Sequence, residues 1–281
     1  MSSRLVLISG KGGVGKSAVS AAYALAARRR GERVLAIDML DGSGLGAHLG
    51  EHDLTFKPRP IGEGLEASTI DRAEALLEYL RVQVGIPAIA TIGPAARAFD
   101  ALASTAPAIR EVVTIGKVLW EVKRGVWDLV VADAAPTGQI GSYLRAARTV
   151  RELVASGRIL DQVEWMEQIL TDAERTNLVL VTLPEELPTV ETAETIEWIR
   201  NEGVVGAITV VANRVLPPLE ADVPESDGPV AEAAALHQSL WEEQQHWLSQ
   251  LPVDTSLPYL FGTHTPAEVA ERLADFLEAE G

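Results

Sequence analysis

The sequence contains no cysteine and no long apolar run, and each absence excludes a class of protein. Without cysteine among 281 residues, the chain cannot form disulfides, thiolate zinc sites or cysteine-held iron–sulfur clusters. No apolar run approaches the ~20 residues with which a helix crosses a bilayer. The chain begins with a strand pattern, without the features of an export signal. We therefore expect a cytoplasmic protein with no zinc, no iron–sulfur cluster and no stable membrane insertion.

Basic residues are also scarce. The chain has 24 Lys and Arg against 40 Asp and Glu, a net charge of −16. Such a field repels nucleic acid and anionic lipid, so no nucleic-acid partner is expected. The hydrophobic share of 47% and the charged share of 23% are those of an ordinary globular protein. The length suits a single domain over residues 1–281, alone or carrying an inserted lobe.

Short apolar runs alternate with helical patterns along the chain. Runs without polar alternation are typical of parallel strands that are buried on both faces. They occupy residues 5–8, 34–37, 129–132, 178–183 and 207–211. The repeated strand–helix order predicts an α/β fold with a doubly wound, mostly parallel sheet. Ligands of such sheets bind at the carboxyl ends of the strands.

One long interval interrupts this order. About 90 residues separate the second predicted strand from the third, too many for a single crossover helix. Within it, residues 71–84 and 95–120 have helical patterns. We predict a helical lobe inserted over residues 54–120 and extended by helices within 143–170.

A second interval lies near the carboxyl end. Residues 217–229 are rich in Pro, Asp and Glu, which favours a loop. Residues 231–251 follow with an apolar stripe at helical spacing. We predict that this stripe packs into the core. Its members are Leu236, Leu240, Trp247 and Leu251.

A glycine-rich segment follows the first strand and precedes a helix. The spacing Gly-x-x-x-x-Gly-Lys-Ser in this context predicts a phosphate loop, whose backbone N–H groups surround phosphate oxygens. Lys16 is expected to reach the β- and γ-phosphates, and the Ser17 hydroxyl to bind Mg²⁺. The predicted nucleotide contacts here are Gly10, Gly12, Gly13, Val14, Gly15, Lys16, Ser17 and Ala18.

A second lysine, Lys11, follows the first glycine of the loop. The run Lys-Gly-Gly-Val-Gly-Lys-Ser resembles the deviant Walker A family of P-loop proteins, which includes MinD, ParA, nitrogenase iron protein and ArsA. The resemblance implies that Lys11 reaches across a dimer interface to the partner's nucleotide and acts in catalysis. The alternative is a solvated loop lysine.

The third apolar strand ends in a carboxylate, Asp133. A carboxylate at that position can hold Mg²⁺ through water. The following stretch, Asp-Ala-Ala-Pro-Thr-Gly, resembles the switch segment of the ArsA family. That family includes the eukaryotic ATPase that guides tail-anchored membrane proteins. The resemblance places Pro136 and Gly138 at the nucleotide, while Gln139 stands where the family usually has histidine.

The second apolar strand ends at Asp38, with Asp41 shortly after it. MinD and ArsA relatives have acidic residues here that orient the attacking water. The resemblance favours Asp41 for this role and Asp38 as a support near the metal, although the spacing differs from both relatives. The alternative is that either carboxylate caps a turn before glycine.

Two later segments complete the expected nucleotide site. Asn213 ends another strand, and in the family an Asn here reads the purine ring; the alternative is an Asn in a turn. Arg214 follows it. Pro258 belongs to the segment that relatives place against the base.

The resemblance therefore implies a Mg-dependent ATPase that binds ATP and ADP. Its nucleotide cycle would drive a homodimer, or a heterodimer with a related ATPase, and act on an unknown client. One alternative is a positioning switch of the MinD and ParA type, against which the acidity counts. Another is a non-hydrolysing ATP-binding subunit of a heteromer, favoured by the shifted Asp41 and by Gln139. Activation by arsenite through thiolates is not expected without cysteine.

Overall fold

The structure is a computed structural model that describes residues 3–40, 42, 44–79, 108–153, 157–219 and 228–279. Strands and helices alternate along most of these ranges. The strands are β1 (Arg4–Gly10), β2 (Val34–Asp38), β3 (Arg59–Gly62), β4 (Leu65–Thr69), β5 (Leu129–Asp133), β6 (Thr176–Thr182), β7 (Ala207–Val215) and β8 (Thr255–Pro258). The helices are α1 (Lys16–Arg29), α2 (Leu45–His48), α3 (Arg72–Tyr79), α4 (Ala108–Arg124), α5 (Thr137–Leu153), α6 (Arg158–Thr171), α7 (Glu186–Glu202), α8 (Pro229–Leu248) and α9 (Pro266–Ala279).

The eight described strands form one sheet in the order β3-β4-β2-β5-β1-β6-β7-β8. All neighbours are parallel except β3 and β4, which form an antiparallel hairpin at one edge. Strand order reverses on either side of β1, so helices cover both faces. The predicted α/β fold with a doubly wound, mostly parallel sheet is confirmed.

The central strands are apolar because both of their faces lie inside the protein. Every residue of β2 and of β5 is buried, including the aspartate that ends each strand. One core cluster combines one sheet face with α4, α5 and α6, and a second combines the other face with α1 and α9. Helix α1 is rich in alanine and has nine buried residues, so it packs closely on the sheet directly after the glycine-rich loop.

The predicted lobe over residues 54–120 missed two strands within that range. Strand β4 pairs in parallel with β2, and β3 pairs with β4, so residues 59–69 extend the sheet. Pro60 is tolerated there because β3 is an edge strand. Helices α3 and α4 agree with parts of the two predicted helices. Residues 80–107 lie outside the described residues, so the inserted lobe stays a prediction.

The prediction that the stripe of α8 packs into the core was wrong for two leucines. Leu236 is 62% exposed and Leu240 is 45% exposed, whereas Leu251, beyond the helix, is buried. No residue of α8 is buried. Helical spacing shows that a helix has an apolar face, but not which element covers it. Among the described residues, no helix has both the length and the apolar character needed to span a membrane.

Candidate active site

The glycine-rich loop connects the end of β1 to the start of α1 at the carboxyl edge of the sheet. Gly10 backs onto β6, where a Cβ atom would lie 2.1 Å from the carbonyl oxygen of Val181. The Val14 side chain is almost fully buried and so fixes the loop to the core. On the other side, Gly12 and Gly13 face open space, since a Cβ atom on either would meet no atom within 4 Å. The loop is therefore a concave backbone surface with room for an anionic group.

Lys16 begins α1, next to this concave surface. Its ammonium donates a hydrogen bond to the carbonyl oxygen of Lys11, 3.1 Å away, which places the charge over the loop. Burial lowers the pKa of Lys16, while the carboxylates of Asp133 and Glu191 oppose that shift. A partly desolvated ammonium beside the backbone of a helix N-terminus is suited to a phosphate.

Two aspartates meet next to the loop because their strands are neighbours. Asp38 and Asp133 end β2 and β5 and are paired in register. The Asp38 carboxylate accepts the backbone N–H of Leu40 at 3.0 Å, and the N–H of Met39 donates to the Asp133 carbonyl oxygen at 3.1 Å. Asp38 thus caps the turn that follows its own strand, and its expected role as a support near the metal stays a prediction.

The residues present fit a Mg²⁺-nucleotide, although the protein alone does not form a full metal cage. Among the described residues, no group of three or more His, Asp or Glu side chains is gathered for a metal. Mg²⁺ in nucleotide sites takes one or two protein ligands together with phosphate oxygens and water. Ser17 and Asp133 are the side chains that would hold it. When bound, Mg²⁺ neutralises charge on the β- and γ-phosphates.

Asn213 lies behind the loop and supports it. The side chain is buried, with 4% exposure, and its amide donates to the carbonyl oxygen of Val14 at 2.8 Å. Its Oδ1 accepts the backbone N–H of Arg214 at 3.0 Å. A Cβ atom on Gly15 would lie 2.5 Å from the Asn213 amide nitrogen, so only glycine fits there. The predicted contact with the purine stays a prediction.

A cavity of about 580 Å³ extends from the loop towards α9. Its size is that of a small-molecule site, and one end is polar while the other is apolar. It is lined by Gly13, Gly15, Lys16, Ser17, Ala18, His48, Asn213, Arg214, Pro258, Tyr259, Leu260, Gly262, His264, Pro266, Val269 and Leu273. Arg214 has a backbone φ of 58°, the sole positive value at a non-glycine residue in the described ranges. Such local strain is frequent at functional sites.

Lys11 points away from this cavity. Its ammonium forms an ion pair with the carboxylate of Glu191 on α7, at 2.6 Å. The hydroxyl of Thr137, at the start of α5, donates to the other oxygen of the same carboxylate. Hydrogen bonds from Lys11 and then from Thr137 hold the pKa of Glu191 below its usual range. A charged network thus connects the loop with the segment that follows β5.

A model of the family described as anion-transporting ATPases matches residues 3–156 and 146–260. The chain belongs to the anion-transporting ATPase family. It is 34% identical to the ATPase BagA of Mycobacterium tuberculosis over 230 residues, which are 76% of this chain and 66% of BagA. It is 27% identical to an arsenical pump-driving ATPase of Acidiphilium multivorum over 278 residues, covering 89% of this chain and 44% of the pump protein. It is 24% identical to the ATPase GET3 of Phaeosphaeria nodorum over 287 residues, covering 88% and 84%. The chain thus spans only part of the length of these relatives.

Several of the residues predicted from the sequence line the main cavity: Gly13, Gly15, Lys16, Ser17, Ala18, Asn213, Arg214 and Pro258. Gly138 lies apart from the main cavity, in a neighbouring one of about 400 Å³. Pro136 accepts the backbone N–H groups of Gln139 and Ile140 and so begins α5. Asp41 lies outside the described residues, and its catalytic role stays a prediction.

The sequence did not single out Glu191. It has no motif spacing relative to Lys11, which lies 180 residues away. His48 and Val269 also contribute to the cavity without having been expected there. They are distant in sequence, and only the fold shows that they line the same cavity.

Proposed function

We propose that the protein is a Mg-dependent ATPase that binds ATP and ADP in the cavity above the glycine-rich loop. The observation that carries the proposal is the position of the Lys16 ammonium over an open backbone cradle, at one end of a cavity large enough for a nucleotide. Membership of the anion-transporting ATPase family supports the same chemistry.

The proposed roles combine the positions of the described side chains with the pattern of the family. Lys16 and the loop N–H groups would bind the β- and γ-phosphates, and Ser17 and Asp133 would hold Mg²⁺. Pro258, Tyr259 and Leu260 at the apolar end would contact the base. Asp38 would support the metal, and Asp41 is the proposed group that orients the attacking water. An unperturbed aspartate, with a pKa near ~3.9, is a weak base, so it is better suited to orienting the attacking water than to removing a proton from it.

We further propose that ATP drives formation of a dimer in which Lys11 serves the partner's nucleotide. The Lys11 side chain is 36% exposed, at the rim of the site and outside its own cavity. A cation in that position can stabilise charge that develops on a neighbouring subunit's phosphate. A homodimer and a heterodimer with a related ATPase are both compatible with this geometry. The client and the expected cytoplasmic location stay predictions.

The test is ATP turnover by the purified protein, with Mg²⁺ or with excess EDTA. We expect turnover that requires Mg²⁺ and that is lost in Lys16→Ala together with ATP binding, because the variant removes the charge that faces the phosphates. Lys57→Ala is the matched control, since Lys57 is an exposed lysine outside the cavity. ATP binding without any turnover in the wild-type protein would instead support a non-hydrolysing subunit.

A further inference from the structure

Glu191 connects two segments of the candidate active site. One carboxylate oxygen accepts the Lys11 ammonium at 2.6 Å, and the other accepts the Thr137 hydroxyl. Lys11 belongs to the glycine-rich loop, and Thr137 belongs to the segment between Asp133 and α5. Glu191 itself lies on α7, a helix with its own packing against β6 and α5.

The ion pair opposes the trans role of Lys11. An ammonium paired at 2.6 Å with a carboxylate of its own subunit must leave that carboxylate before it can reach a second subunit. Both partners are partly exposed, with 36% of the Lys11 side chain and 30% of the Glu191 side chain accessible, so the pair can open without unfolding. Loss of the Thr137 hydrogen bond would free the carboxylate to rotate, which weakens its hold on the lysine.

We propose that Glu191 is a positioning residue that retains Lys11 on its own subunit and makes the release of this lysine depend on the position of Thr137. The inference rests on the proposed function. When the segment after β5 adjusts to a bound γ-phosphate, Thr137 withdraws from Glu191, and Lys11 becomes available to the partner. In the absence of ATP, the wild-type chain therefore dimerises less readily than a variant that lacks the Glu191 carboxylate.

The expected effect is modest because the pair is partly solvated. Exposed ion pairs shift equilibria by roughly two- to fivefold. Glu191→Gln keeps the shape of the side chain and an oxygen that can accept the Thr137 hydroxyl, but it removes the charge that holds Lys11. Glu194→Gln is the matched control: Glu194 lies on the same helix and lines the same neighbouring cavity, and no contact between it and Lys11 is seen.

The first measurement needs no nucleotide. Trace acetylation with acetic anhydride, followed by peptide mass spectrometry, reports the accessibility of each lysine amine. We expect Lys11 to be labelled roughly two to five times faster in Glu191→Gln than in wild type, with no change in Glu194→Gln. Thr137→Val is the second variant, and it should raise labelling of Lys11 in the same direction. Unchanged labelling of Lys11 in both variants would overturn the proposal.

The second measurement is sedimentation of the protein across a concentration series with and without Mg-ATP. Without nucleotide, Glu191→Gln should lower the protein concentration at half-dimerisation by roughly two- to fivefold, whereas Glu194→Gln should leave it in place. A purely structural Glu191 would lower thermal stability and leave the dimerisation midpoint in place, which contradicts the proposal. Wild-type protein that binds no ATP would refute the proposed function, and the labelling result would still report the ion pair separately.

Discussion

Replacing Asn213 by alanine separates two roles for this side chain, support of the loop and recognition of the base. The structure places its amide 2.8 Å from the Val14 carbonyl oxygen, in a buried position behind the loop. One amide hydrogen and one Oδ1 lone pair remain for a purine, so the contact with Val14 does not by itself exclude base recognition.

The magnitude follows from the burial of the contact. Asn213→Ala leaves the Val14 carbonyl oxygen without its donor, which costs about 1–3 kcal/mol when such a group is buried. The variant also frees the backbone N–H of Arg214 from Oδ1. We expect the free energy of unfolding to fall by about that amount. Each ~1.4 kcal/mol of this cost that is also lost from the free energy of nucleotide binding lowers the affinity about tenfold.

The assay is calorimetric titration of ATP and of GTP into both proteins, with denaturant unfolding of each. Since the contact lies under the phosphate-binding part of the loop, both nucleotides should lose affinity by a common factor. Asn177→Ala is the control, because it removes an amide that donates to Thr209 at 2.9 Å at the opposite end of β6. That control should lower stability and leave both affinities in place.

A different pattern would refute this reasoning. If Asn213→Ala weakens ATP but not GTP, and unfolding is unaffected, the amide reads the adenine ring, as the family resemblance implies. If neither affinity changes, the loop keeps its shape without Asn213, and the hydrogen bond to Val14 has no functional consequence.

Four further outcomes are expected. Lys11→Ala should bind ATP but lose turnover and the ATP-dependent dimer, with activity partly restored by mixing it with an inactive Asp133→Asn protein; full turnover by a monomer would exclude a trans role. Asp133→Asn alone should raise the Mg²⁺ concentration needed for half-maximal ATP binding, measured by calorimetric titration of ATP over a magnesium series. Arsenite should leave ATPase activity unchanged because the chain has no thiolate. The Asp128 carboxyl should titrate by NMR with a pKa of about 2, below its ordinary 3.8, because Arg33 donates hydrogen bonds to it. The stabilisation of the fold by this pair is complete above pH 3.8 and is lost as the pH falls towards 2. Arg33→Gln should return the pKa of Asp128 towards 3.8.

Most of the strands and the glycine-rich loop could be predicted from short stretches of the sequence. Apolar runs without alternation predicted five of the eight described strands, because strands buried on both faces must be apolar throughout. The glycine-rich loop was predictable for a similar reason, since its spacing, the preceding strand and the following helix all lie within about 30 residues. Interactions of this kind depend on neighbours along the chain.

Strands β3 and β4 escaped prediction because both are short and neither is a continuous apolar run; β3 lies at the edge of the sheet and is mostly exposed. The burial of α8 could not be predicted from the sequence either. Helical spacing identifies an apolar face, but tertiary packing decides whether another element covers it. Asn213 was identified as a site residue, but its contact with Val14 depends on how β7 passes behind the loop. The pairing of Lys11 with Glu191 joins positions 180 residues apart, and it exists only because α7 follows β6, which lies beside β1 in the sheet.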